Sequence, residues 1–275
     1  MVFKLLKVGH CFHPEAIVVR GGSWKSAIFP AIVTLIQHPA YGNILFDTGY
    51  ADRFHTVTRS FPERVYRWLT PMELPQRECL QNQLEALDIG LEEIDYVFIS
   101  HFHADHIAGL IDLPRAKFFC SKSALFAFYQ FSGISALRRG FLKALLPNDF
   151  RERVIAIEDT TTITLPNPMH PFSSGYDLFT DGSCIAVELP GHAAGHMGLL
   201  FHDGGTVRFL LGDACWTADA YTKSRKPNPL AHLILDNSQH YLDTIDKLAK
   251  LYGSNQQIQL IPSHCLKTYE ALTGG

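Results

Sequence analysis

Ser100-His101-Phe102-His103-Ala104-Asp105-His106 decides the reading of this chain. It follows Ile94-Asp95-Tyr96-Val97-Phe98-Ile99, an apolar run with the length and residue types of a buried strand. Three imidazoles and a carboxylate therefore leave the end of one strand together. In an extended segment residues two apart point the same way, so His101 and His103 can grip one ion. Asp105 and His106 come after a bend and can face a second. Imidazole and carboxylate suit zinc and similar divalent ions. A histidine-rich polar loop without a role is the poorer account, because matching partners recur downstream.

Upstream, the pattern from Phe3 to Asp47 reads as strand after strand. Ala16 to Val19 is read as one strand, and Ile32 to Ile36 as a buried one. Tyr41-Gly42-Asn43 makes a hairpin turn, and Ile44-Leu45-Phe46 runs into Asp47-Thr48-Gly49. Ala51 to Pro75 lacks a clean period and carries Phe54, Phe61, Tyr66, Trp68, Leu69 and Met72. A segment this long and irregular is either a functional lid or an excursion whose aromatics pack on the body. Gln76 to Leu87 has helical spacing and ends at Gly90.

Downstream, Ile107-Ala108-Gly109-Leu110 begins a short helix and Lys117 to Cys120 is the next strand. Ser121 or Ser123 caps the helix after it. Ser132 to Leu146 reads as a helical insert with Arg138, Arg139 and Lys143. A solvated basic face is the favoured account of these charges; covering the site or a homodimer contact are the alternatives. Val154 to Leu165 is read as strand. Cys184 to Leu189 is another, running into Pro190-Gly191-His192. Val207 to Leu211 ends in Gly212-Asp213. Ser238 to Leu251 is an amphipathic helix, and Ile258 to Ile261 ends in Pro262-Ser263-His264. Each half thus places an Asp and then a His at strand ends, which suggests a duplicated sandwich serving one site. With no Pro-, Gly- or Ser-rich linker between the halves, 1–275 is expected to be one domain.

Composition narrows the function classes. Apolar residues make up 47% and charged residues 19% of the 275, enough for a sizeable core. A net charge of −3 and no basic patch give no reason to expect a nucleic-acid partner. The apolar part of Met1 to His10 is too short for a signal peptide, and no run is long enough to span a membrane. The 6 cysteines are scattered without a close-spaced pair, which argues for reduced, packed thiols and a cytoplasmic setting. Cys215 and Cys265 neighbour Asp213 and His264, but adjacency in sequence favours packing over ligation.

The motifs His101-Phe102-His103-Ala104-Asp105-His106, Pro190-Gly191-His192, Leu211-Gly212-Asp213 and Ser263-His264, in this order, resemble the metallo-β-lactamase superfamily. The resemblance covers almost the whole chain and implies a four-layer αββα sandwich, of α/β class, with two metals at one edge. It implies that His101, His103 and His192 hold the first metal, and Asp105, His106 and His264 the second. Asp213 would bridge them, and Asp47 would orient a ligand. His196 is read as a supporting or packing residue, and His10, His13, His38 and His55 as surface or core.

Two cations a few ångströms apart share a water whose pKa falls toward about 7, and its hydroxide attacks an electrophilic carbon or phosphorus. One metal steadies the oxyanion, and Asp105 handles the proton. Zinc is the default ion; iron, manganese and cobalt fit the same ligands. Within the superfamily the chain looks like the N-acyl-homoserine-lactone lactonases, which share Asp47-Thr48-Gly49 and the aromatic segment. Those enzymes often carry a Tyr three residues beyond the bridging Asp; here Trp216 stands there, with Tyr221 as a substitute from farther along. The expected activity is hydrolysis of a lactone or related ester of small-molecule size. A glyoxalase II-type thioesterase or a phosphodiesterase, with Arg225 and Lys226 holding an anion, is the runner-up. A non-catalytic ligand-binding member is the rival outside enzymes, and the completeness of the ligand set counts against it.

Overall fold

The computed structural model of the chain describes residues 1–274. The first sheet holds β1 (Val2–Pro14), β2 (Ser26–His38), β3 (Gly42–Phe46), β4 (Met72–Glu73), β5 (Ile94–Phe98), β6 (Lys117–Cys120) and β7 (Val154–Ala156). The second holds β8 (Thr161–Thr164), β9 (Ser174–Asp177), β10 (Cys184–Glu188), β11 (Met197–Asp203), β12 (Thr206–Gly212) and β13 (Ile258–Pro262). Their spatial orders are β4-β1-β2-β3-β5-β6-β7 and β13-β12-β11-β10-β9-β8.

Alternation along the strands builds the layers, because successive side chains point to opposite faces. Ile44, Phe46 and Phe98 face the space between the sheets, where Leu210, Leu199 and Ile261 meet them. Leu45 and Val97, one residue out of phase, pack outward with Leu84, Ile107 and Phe128 from helical segments. Phe209, Leu211 and Leu260 do the same for the second sheet, against Tyr241, Ile245, Leu248 and Leu251 of the helix Ser238–Ser254. Three apolar layers between two sheets and two sets of helices make an αββα sandwich. Each fully buried Leu or Phe in them contributes about 1.5–3 kcal/mol relative to exposure.

Strand direction then places the chemistry. β3 and β5 run parallel, as do β12 and β13. β10 and β12 are both antiparallel to β11, so they also share a direction. The segments bearing Asp47, His101 to His106, His192, Asp213 and His264 therefore all follow the carboxyl ends of their strands. The edges are tied together where the Met197 amide donates to the Ser100 carbonyl (3.0 Å) and the Ile32 amide to the Ser263 carbonyl (3.0 Å).

Several local expectations need correction. Ala16 to Val19 lies not in a strand but at a helical turn, Glu15–Val18, where the Glu15 carboxylate accepts the Ser23 amide at 2.9 Å and closes the loop. Val154 to Leu165 is two strands in different sheets, β7 and β8, separated by a turn of 3-10 helix at Ile157–Asp159. The Gln76 to Leu87 helix is split, and Asp88 rather than Gly90 turns left-handed after it (φ 58°). The insert from Ser132 is helical only over Gly133–Leu137, with a 3-10 turn at Lys143–Leu145. Ser121 caps the Lys122–Gln130 helix, accepting from the Ser123 and Ala124 amides. Among the described residues, no helix is long and apolar enough to cross a membrane.

All six thiols are free, and only Cys79 is not buried. Burial pushes the Cys120 and Cys184 thiols up to about 12. A thiol-specific reagent at neutral pH is expected to titrate Cys79 alone in the folded protein and every cysteine after unfolding. A second fast-reacting thiol before unfolding would show that the layers open more readily than this packing implies.

Candidate metal centre

The site is built on a buried clamp under the histidine stretch. Asp47 takes a left-handed conformation (φ 61°) at the end of β3, which turns its carboxylate toward β5. There Oδ1 accepts the Ser100 amide at 2.8 Å, and Oδ2 accepts the Ser100 hydroxyl at 2.8 Å and lies 2.7 Å from His106 Nδ1. The clamp places the Nδ1 proton of His106 on Asp47 and leaves Nε2 free to face the centre. Ser100 Oγ lies 3.0 Å from His101 Nδ1 and orients that ring likewise. His264 Nδ1 donates to the Pro30 carbonyl at 2.7 Å. In each case one ring nitrogen is tied to the body and the other aims inward, the arrangement of a ligating imidazole.

The inward atoms converge in sets that could each hold an ion: His101, His103 and His192; His101, His106 and Asp213; and Asp105, His106 and His264. Asp213 lies among them. Its Oδ2 is 3.2 Å from His192 Nε2, while Oδ1 is 3.0 Å from His264 Nε2 and 3.3 Å from His106 Nε2. Asp105 Oδ2 is 3.3 Å from His264 Nε2 and 3.6 Å from His106 Nε2. His103 Nδ1 approaches His192 Nε2 to 3.0 Å.

The donor set fits divalent cations. His101 Nε2, His106 Nε2 and Asp213 Oδ1 are buried without a hydrogen-bond partner among the described residues, a costly state for polar atoms that bind nothing. Burial drives His101 and His192 well below the ordinary histidine range, so both stay neutral with lone pairs available. At His106 burial opposes charge, but Asp105, Asp47 and Asp213 outweigh it and raise the pKa well above the usual value. Burial disfavours an ionised Asp213 too, yet His264, His106 and His192 hold it well below the carboxylate range. The carboxylates thus demand positive charge at the same point where the imidazoles offer free nitrogens.

His196 is not among these sets. Its Nε2 accepts the Asp213 amide at 3.0 Å, and burial lowers its pKa to about 3, so it supports the Asp213 turn as a neutral ring. Gly212 sits there at φ 53°, and a Cβ on it would come within 2.7 Å of His196 Nε2. Trp216 packs edge-on to His192 at 5.8 Å and donates its indole N–H to Asp213 Oδ2 at 3.1 Å. Tyr221 is elsewhere: its hydroxyl donates to the Leu260 carbonyl at 3.3 Å, and it packs with Tyr252 behind β13. Arg225 pairs with Asp219, and Lys226 with Asp246.

Other residues near the centre escape a reading by motif. His13, on β1, lies within the fields of His264 and Asp105, and burial lowers its pKa. Burial also raises the Tyr66 phenol well above its ordinary value, with Asp105 adding to the effect. Tyr66 and Phe54 pack together at 5.7 Å, so part of the aromatic segment is fastened to the body, while Phe61, Trp68 and Leu69 are exposed. The insert expected to be a solvated face reaches the site instead. A cavity of about 220 Å³ beside His103 and His192 is lined by Arg138, Arg139 and Phe141. Gly140 follows at φ 71°, and a Cβ there would lie 2.5 Å from His103 Cδ2.

Trp216→Phe keeps an aromatic ring beside His192 but removes the donor to Asp213. Chelator competition is expected to show metal affinity lowered about 10- to 100-fold, with an unchanged circular dichroism spectrum. Unaltered affinity would mean that the indole does not steady the carboxylate.

The sequence profile of the metallo-beta-lactamase superfamily matches residues 29–253. The chain is 27% identical over 254 residues to N-acyl homoserine lactonase AttM of Agrobacterium fabrum, spanning 90% of this chain and 86% of that protein. A structure of N-acyl homoserine lactone hydrolase with the product N-hexanoyl-L-homoserine at its catalytic metal center shares the fold, with TM-score 0.74 and 15% identity over 98% of this chain and 95% of that one. AidC, a dizinc quorum-quenching lactonase in complex with its product, aligns with TM-score 0.66 and 15% identity over 96% of this chain and 87% of its own. With the profile covering most of its length, the chain belongs to the metallo-beta-lactamase superfamily.

Proposed function

We propose that this protein is a dinuclear metal-dependent hydrolase that opens lactones of the N-acyl homoserine type. The observation that carries the reading is Asp213 set between two groups of imidazoles, next to a small cavity lined by both charged and apolar residues. The names of the relatives support the substrate class. His101, His103 and His192 would hold one ion, and Asp105, His106 and His264 the other, with Asp213 shared. Zinc is the ion we assign to this nitrogen and oxygen set. Ions bound there supply a water acidified toward neutrality and positive charge for a developing oxyanion.

The remaining work falls to the protein. Asp47, Ser100 and the Pro30 carbonyl keep ring protons on the outer nitrogens of His106, His101 and His264, so those rings do not turn. The Asp105 side chain, 12% exposed, lies nearer to solvent than Asp213 does, and it is the carboxylate to take a proton from the attacking water and return it to the leaving alkoxide. Trp216 acts through Asp213, to which its indole N–H is committed. Tyr221 is given no role, because its hydroxyl is engaged on Leu260. The thioesterase and phosphodiesterase readings are the weaker ones, since Arg225 pairs with Asp219 and Lys226 with Asp246.

The test is a panel comprising an N-acyl homoserine lactone, a thioester and a phosphodiester, assayed on protein of measured metal content. Lactone opening is expected to dominate. It should fall by more than about 100-fold in His103→Ala and Asp213→Ala, together with bound metal. Cleavage of the phosphodiester alone would overturn the lactonase reading. Less than one ion per chain after zinc addition, with no turnover, would favour a non-catalytic protein.

A further inference from the structure

The cavity beside His103 and His192 is bordered by two solvent-exposed charged residues, Arg138 and Asp236, whose side chains have no ion-pair partner among the described residues. Arg139 is engaged: its guanidinium stacks over Phe131 at 3.6 Å and donates to the Ser135 carbonyl at 3.2 Å. Arg138, its neighbour in the same lining, is exposed, and its guanidinium makes no hydrogen bond or ion pair among the described residues. Asp236 borders the cavity from a different segment, and its carboxylate is likewise unpaired among them. Its position is well defined, because its backbone amide donates to the His192 carbonyl at 3.0 Å. Both residues line the one cavity beside His103 and His192, and among the described residues no ion pair joins them.

We infer that Arg138 and Asp236 are specificity-determining residues that read a secondary amide beside the scissile lactone carbonyl. An amide presents a carbonyl acceptor and an N–H donor on opposite sides. Arg138 supplies the donor for the first and Asp236 the acceptor for the second, each as a charge-assisted hydrogen bond. An anionic substituent suits the pair less well, because Asp236 would repel it. Leu233 and Ile234, 80% and 55% exposed on the same rim, form the apolar shelf along which an acyl chain would lie. The inference rests on the lactone-hydrolase reading and adds which part of the substrate this chain selects.

The experiment compares Arg138→Met and Asp236→Asn with the wild type, all metal-loaded, on two lactones of matched length. One is N-hexanoyl-homoserine lactone; the other is a γ-alkyl butyrolactone with no amide. Each substitution should raise KM for the amide substrate about tenfold while kcat stays within about twofold, as loss of binding shared by ground state and transition state requires. KM for the alkyl lactone should not change, and Arg138→Lys should recover part of the loss. Equal losses on both lactones would make the residues merely structural, and no loss on either would remove them from recognition; both results overturn the inference. Failure of the wild type to open either lactone would instead sink the underlying hydrolase reading, and this one with it.

Discussion

The carboxylate of Asp213 shares its two oxygens between two groups of imidazoles, and the fold can be understood as the means of keeping it there. One oxygen lies 3.2 Å from His192 Nε2; the other lies 3.0 Å from His264 and 3.3 Å from His106. A carboxylate buried this deeply is unstable unless positive charge joins it, and the raised pKa values of His106 and His264 reflect the same demand. The surroundings leave it little freedom to escape. His196 holds its amide, Trp216 holds Oδ2, and Gly212 allows the left-handed turn that presents it. Replacing any of these contacts would shift the carboxylate or change its basicity at the candidate metal centre.

Much of this was legible along the chain, for a physical reason. Ligands sit at the ends of strands, and strands show as short apolar runs, so the pairing of an apolar run with a terminal His or Asp is a local signal. The two parallel pairs, β3 with β5 and β12 with β13, match the repeated order of Asp and then His. The misreadings also have causes. Val154 to Leu165 is mostly β-prone but broken by Glu158 and Asp159, and there a turn at Ile157–Asp159 carries the chain from one sheet to the other. Ala16 to Val19 is rich in β-branched residues, yet a side-chain bond from Glu15 curls it into a helical turn. The basic insert could not be placed from its charges, because a guanidinium facing solvent and one facing a cavity look alike in sequence.

The aromatic segment and the basic insert divide between them what a single lid might have done. Phe54 and Tyr66 fasten the first to the body near Asp105. Arg138 to Phe141 instead borders the cavity on the side of His103 and His192. Close contact between Gly140 and His103 couples the insert to the ligand sphere, so shape at the rim and geometry at the centre are not independent. Superfamily members can therefore keep one arrangement of ligands and differ in the segments around it, where recognition is set.

The most direct test of the two-ion centre is anomalous X-ray diffraction at the zinc edge from zinc-loaded crystals, with the occupancy of each peak refined. The account predicts two peaks per chain, one within His101, His103 and His192, the other within Asp105, His106 and His264, both touching Asp213. One peak only, or a peak that leaves Asp213 unligated, would contradict it.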